Sequence, residues 1–434
     1  MMKSDYDVVV LGGGTAGMVA AIQAARAGAS CLLVEKTALL GGTAIVAGVN
    51  FPGLFHAWGH QIIAGIGWEL VLRAVQESGG ELPDFRHDER RHPSRQVLVD
   101  RFTYAAVVDA AVRESGAHPL LHSMLVCAKQ TNGRWELELA CKEGLQKVTA
   151  HVLIDTSGDA NGVSIAGFPI RRNTTLQPGT LIFRASGYDL AKLDLDAISQ
   201  AARAAISSGE LLLTDLGGRA ERVRTLLESH GENIIHIAGI DARTSAGKTE
   251  AEFLGRAALL RLQRFLRQQP GLADFHVTYF APECGIRETA TIDGEVEVSV
   301  QDYTSGRLWE DAVCYSFYPI DIHVDHDIKI TPLREGVYPT LPLRALVPKG
   351  SENLLAAGRI ACGDKEAHSA FRVQASSMAM GQAVGALAAL ASQAKTTTRA
   401  VAIKDLHALL REHGAIVPEL SSPDGLAQPP THLS

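Results

Sequence analysis

The sequence predicts an α/β fold in which a discontinuous, Rossmann-like dinucleotide-binding domain is interrupted by an α+β substrate domain. Two observations support this prediction. Residues 8–36 have the pattern of an apolar strand, a glycine-rich turn, an alanine-rich helix and a second apolar strand. After a mixed region, residues 351–391 return to a strand, a glycine turn and a long helix of small residues. The predicted parts are a first dinucleotide-binding segment (1–169), the substrate domain (170–344), a second dinucleotide-binding segment (345–400), and a C-terminal helix with a mobile tail (401–434).

The clearest motif begins at Val8. The strand Val8–Leu11 is apolar without alternation, as buried parallel strands are. Gly12, Gly14 and Gly17 follow with the G-x-G-x-x-G spacing. The first glycine allows a tight turn, the second lets the backbone approach a pyrophosphate, and the third lets the helix pack on the strand. Glu35 ends the second strand, where a carboxylate can accept hydrogen bonds from a ribose.

The remaining elements follow from apolar periodicity. Helices are predicted at 17–27, 68–78, 100–115, 189–208, 217–229, 248–267 and 375–394, with one more in the segment AIKDLHALLREHGA. Strands dominate 275–345. Residues 375–394 carry no charge but include serines, glutamines and glycines, so we interpret them as a helix buried within the protein and not as a membrane span.

Composition narrows the function classes. The chain has 434 residues, 46% of them hydrophobic, and a net charge of −7 with no basic run, which argues against a nucleic-acid partner. The six cysteines are scattered without a C-x-x-C pair, so we expect neither a metal site nor a disulfide framework. The N-terminus lacks the uninterrupted apolar run of a signal peptide. Together these features predict a cytoplasmic enzyme.

Seven segments together resemble FAD-dependent oxidoreductases of the glutathione-reductase-like superfamily, and more narrowly the family related to fumarate reductase flavoproteins. The segments are DVVVLGGGTAGMVAAIQAARAG, LGGTA, VNFPGLFHAWG, LIDTSGDANGVSIAG, GIRETATIDGE, YPIDIH, and NLLAAGRI with EAHSAFRVQASSMAMGQAVG. The resemblance implies an FAD-dependent oxidoreductase. It also implies non-covalent FAD, because Gly42-Thr43-Ala44 stands where members with covalent FAD have a histidine.

The resemblance assigns a set of residues to the cofactor. They are Gly12, Gly14, Thr15, Ala16, Gly17, Glu35, Lys36, Gly42, Thr43, Leu125, Gly158, Asp159, Gly358, Arg359 and Asp364. Within this set, Leu125 falls where the backbone pairs with adenine. Asp364 falls where related flavoproteins place an acid against the ribityl chain.

Two candidate catalytic residues, His368 and Arg372, follow from the resemblance alone, which places both near the flavin ring. Either could instead only bind the cofactor or brace the loop. His56 and His60 follow the second glycine pair, in a loop expected beside the flavin, and are candidate substrate contacts.

The sequence itself adds two further candidates. Arg287 could bind a substrate carboxylate or carbonyl, or could form a structural ion pair with Glu288. His323 follows Asp321 by two residues on the same strand face, so it could be a base oriented by a carboxylate or a satisfied interior histidine.

The leading hypothesis is a dehydrogenase or reductase that acts on a small organic substrate and exchanges electrons with an unidentified external acceptor or donor. Three alternatives stay open: an NAD(P)H-dependent flavin monooxygenase, a flavin-binding partner protein without small-molecule turnover, and a plain NAD-dependent enzyme. The sequence leaves the substrate, the direction of the reaction and the oligomeric state undetermined.

Overall fold

The computed structural model of the chain describes residues 3–85, 96–324, 327–420, 422 and 424–430. The end of the predicted tail, 431–434, lies outside them. The strands are β1 (Asp5–Leu11), β2 (Cys31–Val34), β3 (His56–Ala57), β4 (His60–Gln61), β5 (His118–Leu120), β6 (Met124–Thr131), β7 (Arg134–Cys141), β8 (Gly144–Asp155), β9 (Ile170–Arg171), β10 (Gly179–Ser186), β11 (Gly231–Ile237), β12 (His276–Phe280), β13 (Thr291–Ile292), β14 (Ala312–Tyr315), β15 (Ile320–Val324), β16 (Asp327–Thr331), β17 (Thr340–Pro342) and β18 (Leu354–Ala356). The α-helices are α1 (Thr15–Arg26), α2 (Ile66–Glu77), α3 (Arg101–Glu114), α4 (Asn161–Ile165), α5 (Leu195–Ser208), α6 (Arg222–Glu228), α7 (Ser245–Arg267), α8 (Val300–Ser305), α9 (Lys365–Phe371), α10 (Gln374–Gln393) and α11 (Ile403–Glu412).

The main sheet has the order β5-β2-β1-β8-β7-β6, and β18 pairs with the second half of β8. β1, β2, β5, β8 and β18 run parallel, as the apolar runs predict. Leu11 and Ala356 both lie opposite Asp155 in register. The turns that follow β1, β8 and β18 therefore meet at one edge of the sheet, where ligands bind in open α/β folds.

Helices α1 and α10 cross the same face of this sheet in close contact. A Cβ atom on Gly381 would lie 2.2 Å from the carbonyl oxygen of Ala16, and one on Gly385 would lie 2.4 Å from that of Ala20. The small residues of both helices are thus required for this approach, and α10 is buried within the protein as predicted. No helix formed by the described residues is both long and apolar enough to cross a bilayer.

The second part of the fold is a three-stranded antiparallel sheet of order β11-β10-β12, covered by α6 and α7, with α5 packed against α6. Its hydrophobic core is built from buried residues between Leu181 and Cys284. Buried residues from 290 to 347 instead join the larger core, where β14 packs against α10. The residues of the smaller core therefore come from a shorter stretch of the chain than the predicted substrate domain, 170–344.

Most helices agree with the predicted ranges to within a few residues, and the differences have local causes. The predicted helix at 189–208 is divided into a 3₁₀ turn at Leu190–Lys192 and α5. Leu193 is extended and ends the first piece, and Asp194 caps the second, because its side chain accepts a hydrogen bond from the backbone N–H of Ala197 at 2.9 Å. Similarly, α6 begins at Arg222 and not at the predicted 217, since Gly217 adopts a left-handed conformation that ends the preceding turn.

Candidate functional site

A cavity of about 780 Å³ opens at the sheet edge where the turns after β1, β8 and β18 meet. It extends from there to side chains of β15 and to the residues just before α10. Twelve of the predicted cofactor residues line it. These are Gly12, Gly14, Thr15, Ala16, Glu35, Lys36, Gly42, Thr43, Gly158, Asp159, Gly358 and Arg359.

The three glycines of the first turn have the different surroundings that the motif predicts. Gly12 has φ +96°, and a Cβ there would lie 2.6 Å from the carbonyl oxygen of Thr156. A Cβ on Gly17 would lie 1.8 Å from the carbonyl oxygen of Gly12. A Cβ on Gly14 would meet nothing closer than the Cα of Gly42 at 3.8 Å. Gly14 therefore leaves open space on the cavity side, directly at the N-terminus of α1, which no side chain caps.

Charged side chains surround this turn. Glu35 accepts backbone hydrogen bonds from Gly13 at 2.7 Å and Thr37 at 2.8 Å, so its carboxylate fixes the turn as well as lining the cavity. Across the cavity, Arg359 donates to Asp159 at 2.7 Å. Nη1 of Arg359 is buried without a hydrogen-bond partner among the described residues. An open glycine turn, free helix N–H groups and an unsatisfied guanidinium nitrogen fit a bound pyrophosphate.

The aspartate of this pair is held ionised. Burial by itself would raise the pKa of Asp159, but Arg359 and the hydroxyl of Thr289 outweigh burial and hold it below its usual value. Thr289 donates to Asp159 at 2.8 Å. This contact connects the cofactor end of the cavity to the segment that carries Arg287 and Glu288.

Three predicted cofactor residues do not line the cavity. Leu125 pairs with Leu139 on the edge strand β6, and its neighbour Met124 lines the cavity instead. Asp364 accepts hydrogen bonds from the backbone N–H groups of Ala367 at 2.8 Å and Val300 at 2.6 Å, so it caps α9. Gly17, a third residue of the set, lies behind the lining, where its packing role places it.

His368 and Asp364 lie together on a second, smaller cavity of about 240 Å³. The His368 side chain is 2% exposed, and its Nε2 lies 2.6 Å from the carbonyl oxygen of Arg359. Burial lowers the pKa of His368 to about 3, so the ring is neutral at physiological pH. His368 thus contacts the backbone beside the large cavity but does not line the cavity itself.

The two candidate substrate histidines lie elsewhere. His56 stacks on Phe85, with ring centroids 3.7 Å apart, and burial lowers its pKa to about 4. His60 is exposed on the β3–β4 hairpin, 6.2 Å from the ring of Tyr338. Neither residue lines the large cavity.

Four predicted or neighbouring residues do meet at the far end of the large cavity: Arg287, Asp321, His323 and Arg372. Nε2 of His323 lies 3.2 Å from Oδ2 of Asp321. Burial lowers the pKa of His323 to about 4, although the hydrogen bond to Asp321 opposes this shift. Burial would raise the pKa of Asp321, but His323 and the two arginines hold it below its usual value. The pair is therefore a neutral imidazole beside an ionised carboxylate.

The two arginines have few protein partners. Arg287 donates from Nη1 to the carbonyl oxygen of Pro178 at 2.6 Å. Burial and the nearby Arg372 lower the pKa of Arg287 to about 9. Arg372 donates to the carbonyl oxygen of Ser369 at 3.2 Å and to Gln177 at 3.4 Å. Neither arginine forms an ion pair within the part of the chain that the structure describes.

Glu288 does not pair with Arg287. The carboxylate accepts a hydrogen bond from the backbone N–H of Gln177 at 2.8 Å and from Asn173 at 3.3 Å. Glu288 lines the second cavity, whereas Arg287 lines the first. The structural ion pair that the sequence allowed is thus absent among the described contacts, and the guanidinium of Arg287 is available to a ligand.

Sequence reasoning missed two residues at this end. Oε1 of Gln177 accepts from the backbone N–H of His323 at 2.9 Å and from Arg372 at 3.4 Å, which fixes both. The buried His236 on β11 packs edge-on against His323, with ring centroids 5.4 Å apart. Both come from segments without a motif, so no sequence signal identified them.

Among the residues that the structure describes, no group of three or more His, Cys, Asp or Glu side chains is arranged to hold a metal ion. All six cysteines are free thiols. Burial raises the pKa of Cys284, the cysteine on the large cavity, to about 12, which keeps it protonated and unreactive.

Solved structures with similar folds were found. A geranylgeranyl bacteriochlorophyll reductase-like protein from Thermoplasma acidophilum has a TM-score of 0.45 and 14% identity, over 94% of this chain and 84% of that one. A p-nitrophenol 4-monooxygenase from Pseudomonas putida has a TM-score of 0.44 and 10% identity, over 95% of this chain and 85% of that one.

Curated relatives match shorter segments. A 4-oxocyclohexanecarboxylate 2-dehydrogenase from Sinomonas cyclohexanicum is 54% identical over 46 residues, which cover 11% of this chain and 8% of that protein. A digoxin reductase from Eggerthella lenta is 28% identical over 191 residues, which cover 38% of this chain and 33% of that protein. The chain therefore matches at most about a third of the length of these two relatives. The model of a family described as FAD dependent oxidoreductase matches residues 7–410, so this chain belongs to the FAD-dependent oxidoreductase family.

Proposed function

We propose that this enzyme transfers hydride between a small organic substrate and non-covalently bound FAD. One observation carries the proposal: a single cavity joins the glycine turn after β1 to the chamber of Arg287, Asp321, His323 and Arg372. A dinucleotide whose pyrophosphate lies at that turn can reach the chamber with one of its ends. The bound FAD supplies reversible two-electron hydride chemistry, and the chain supplies binding, orientation and proton handling.

In this proposal, different groups of cofactor residues hold different parts of the FAD. The backbone from Gly14 to Ala16 and the guanidinium of Arg359 hold the negative pyrophosphate. Glu35 and Met124 lie at the adenosine end. The second glycine pair, with Gly42 and Thr43, covers the phosphates and ribityl chain from the other side.

The residues at the far end have roles that follow from their charge. Arg287 and Arg372 bind and orient a substrate oxygen, because each has N–H donors without an acceptor among the described residues. The neutral His323, fixed by Asp321 and Gln177, is able to accept a proton at neutral pH.

No second nucleotide-binding motif is present in the sequence, so we infer that an external acceptor or donor exchanges electrons with the FAD. A cytoplasmic location remains a prediction from the scattered cysteines.

The experiment is an anaerobic visible spectrum of the purified protein, recorded before and after addition of NADH, NADPH and candidate organic substrates. We expect a yellow protein whose flavin absorbance is bleached by an organic substrate and not by the nicotinamide nucleotides. Rapid bleaching by NADPH or NADH, stimulated by a second organic compound, would instead support the monooxygenase. A flavin that no small donor reduces would contradict the proposal.

A further inference from the structure

We propose that the far end of the cavity binds a short hydroxycarboxylic acid and oxidises its hydroxyl-bearing carbon to a carbonyl group. The inference rests on the proposed function and adds the substrate class to it. Two observations carry it: an excess of positive charge from two arginines that form no ion pair with a described residue, and a carboxylate–imidazole pair placed beside that charge.

The excess charge comes from the two arginines. Arg287 and Arg372 both line the chamber, and the carboxylate of Asp321, which lines it with them, is already hydrogen-bonded to His323. The nearby Glu288 faces the second cavity, with the ammonium of Lys365 4.0 Å away. A buried charge is costly unless it is paired, so the chamber favours a ligand that carries one negative charge. Guanidinium groups match the geometry of a carboxylate.

The Asp321–His323 pair indicates the second substrate group. An ionised carboxylate hydrogen-bonded to a neutral imidazole is an arrangement that accepts a proton from a hydroxyl group. Nδ1 of His323 is buried and has no partner among the described residues, which leaves one acceptor of the pair unused. A hydroxyl proton has to be removed when an alcohol is oxidised. The reduction of a carbon–carbon double bond has no such requirement.

The two features lie close together, which limits the length of the substrate. Nη2 of Arg372 lies 3.4 Å from the backbone oxygen of Asp321. Gln177 bridges Arg372 and His323 through one oxygen atom. The carboxylate of the substrate is therefore expected one or two carbons from the hydroxyl group, as in 2-hydroxy and 3-hydroxy acids.

The reaction balances as follows. The C–H bond of the carbinol carbon breaks, and the hydrogen leaves as hydride to the FAD, which is reduced by two electrons. The O–H bond breaks, and its proton passes to the Asp321–His323 pair. The carbon–oxygen bond becomes a double bond, so the hydroxy acid is oxidised to the oxo acid. The arginines hold the carboxylate throughout and do not change protonation.

The test uses the FAD-containing enzyme under anaerobic conditions. Flavin bleaching is measured with glycolate, D- and L-lactate, malate, 2-hydroxyglutarate and 3-hydroxybutyrate, and with their methyl esters. Binding without turnover is measured from the change in the flavin spectrum on titration with pyruvate, oxaloacetate, 2-oxoglutarate and acetoacetate. We expect at least one acid to bleach the flavin at least about 100-fold faster than its ester, the loss expected when two charge-assisted hydrogen bonds are removed.

Variants separate the two halves of the site. Arg287→Gln and Arg372→Gln are expected to weaken binding of the matching oxo acid by about 10- to 100-fold without loss of FAD. Arg287→Lys keeps the charge and serves if the glutamine variant does not fold. Asp321→Asn is expected to keep oxo acid binding while slowing flavin reduction by about 100-fold or more. Arg203→Gln, at an exposed arginine paired with Glu221 on the surface, is the matched control.

The outcomes that overturn the inference differ from those that overturn the proposed function. Bleaching by neutral alcohols or by esters as fast as by acids would overturn it, as would bleaching by succinate or propionate, which carry no hydroxyl group. A lack of any spectral response to the acids and oxo acids would also overturn it. In each of these cases another donor that reduces the flavin would leave the proposed function intact, whereas a flavin that no small donor reduces would refute the function itself.

Discussion

Two alanine substitutions in the first glycine turn separate cofactor binding from folding. Gly14→Ala places a Cβ in open space, 3.8 Å from its nearest neighbour, at φ −70° and ψ −171°, which any residue can adopt. We expect the unfolding free energy of the protein without FAD to change by less than about 0.5 kcal/mol. The added methyl group occupies the side of the turn that the pyrophosphate approaches. The strain costs about 1–3 kcal/mol, so FAD affinity falls by about 5- to 150-fold.

Gly17→Ala is predicted to lower the unfolding free energy of the FAD-free protein, which Gly14→Ala leaves almost unchanged. Its Cβ would lie 1.8 Å from the carbonyl oxygen of Gly12, a backbone atom that cannot move without opening the turn. The variant should lose about 1–3 kcal/mol of stability or more, even though alanine normally favours a helix. Chemical denaturation of the FAD-free proteins and fluorescence titration with FAD measure both quantities. If Gly14→Ala binds FAD as tightly as the wild type, the pyrophosphate does not lie at this turn.

Three further predictions concern other parts of the structure. The unfolding free energy should fall as the pH is lowered from about 6.5 towards 4, because His56 takes up a proton in the unfolded chain and stays neutral in the folded one. His56→Phe keeps the stack on Phe85 and should flatten this pH dependence by about one proton, as measured by denaturation at several pH values; an unchanged slope would contradict the assignment. Thr289→Val removes the hydrogen bond to Asp159 and should weaken FAD binding by about 2- to 10-fold, whereas unchanged binding would show that this contact does not support the cofactor end. Acid precipitation should leave all FAD in the supernatant, because Gly42-Thr43-Ala44 offers no histidine for attachment, and a yellow pellet would contradict non-covalent binding.

The cofactor end of the site could be predicted from sequence because its determinants are local. The strand, the glycine spacing and the acid at Glu35 lie within 29 consecutive residues, 8–36. The G-x-G-x-x-G spacing predicts which glycines have no room for a Cβ and which one leaves room for a phosphate. The turns after β8 and β18 could be predicted to belong to the same site, because the carboxyl ends of parallel strands meet at one edge of the sheet.

The substrate end could be predicted only in part because it is assembled from distant segments. Gln177, Arg287, His323 and Arg372 come from four parts of the chain, and only the tertiary fold places them around one chamber. The sequence could not determine where the short helix α9 ends. His368 lies within α9 and lines the second cavity, whereas Arg372 follows the last residue of α9 and lines the first.

Two further differences have the same origin. Whether Arg287 pairs with Glu288 depends on the direction in which each side chain points. The spacing of the residues in the sequence does not predict that direction. The His56 side chain stacks on Phe85, which lies 29 positions further along the sequence. This long-range contact could not be predicted from the motif, and the His56 side chain does not line the large cavity.

A crystal structure of the protein with FAD tests the central claim most directly. We predict that the pyrophosphate lies on the backbone from Gly14 to Ala16, and that the isoalloxazine ring lies against the chamber of Arg287, His323 and Arg372. An FAD molecule with its adenine in that chamber, or with its ring more than about 10 Å from these side chains, would contradict the proposal that they act on a substrate at the flavin, because hydride transfer requires reacting atoms about 3–3.5 Å apart.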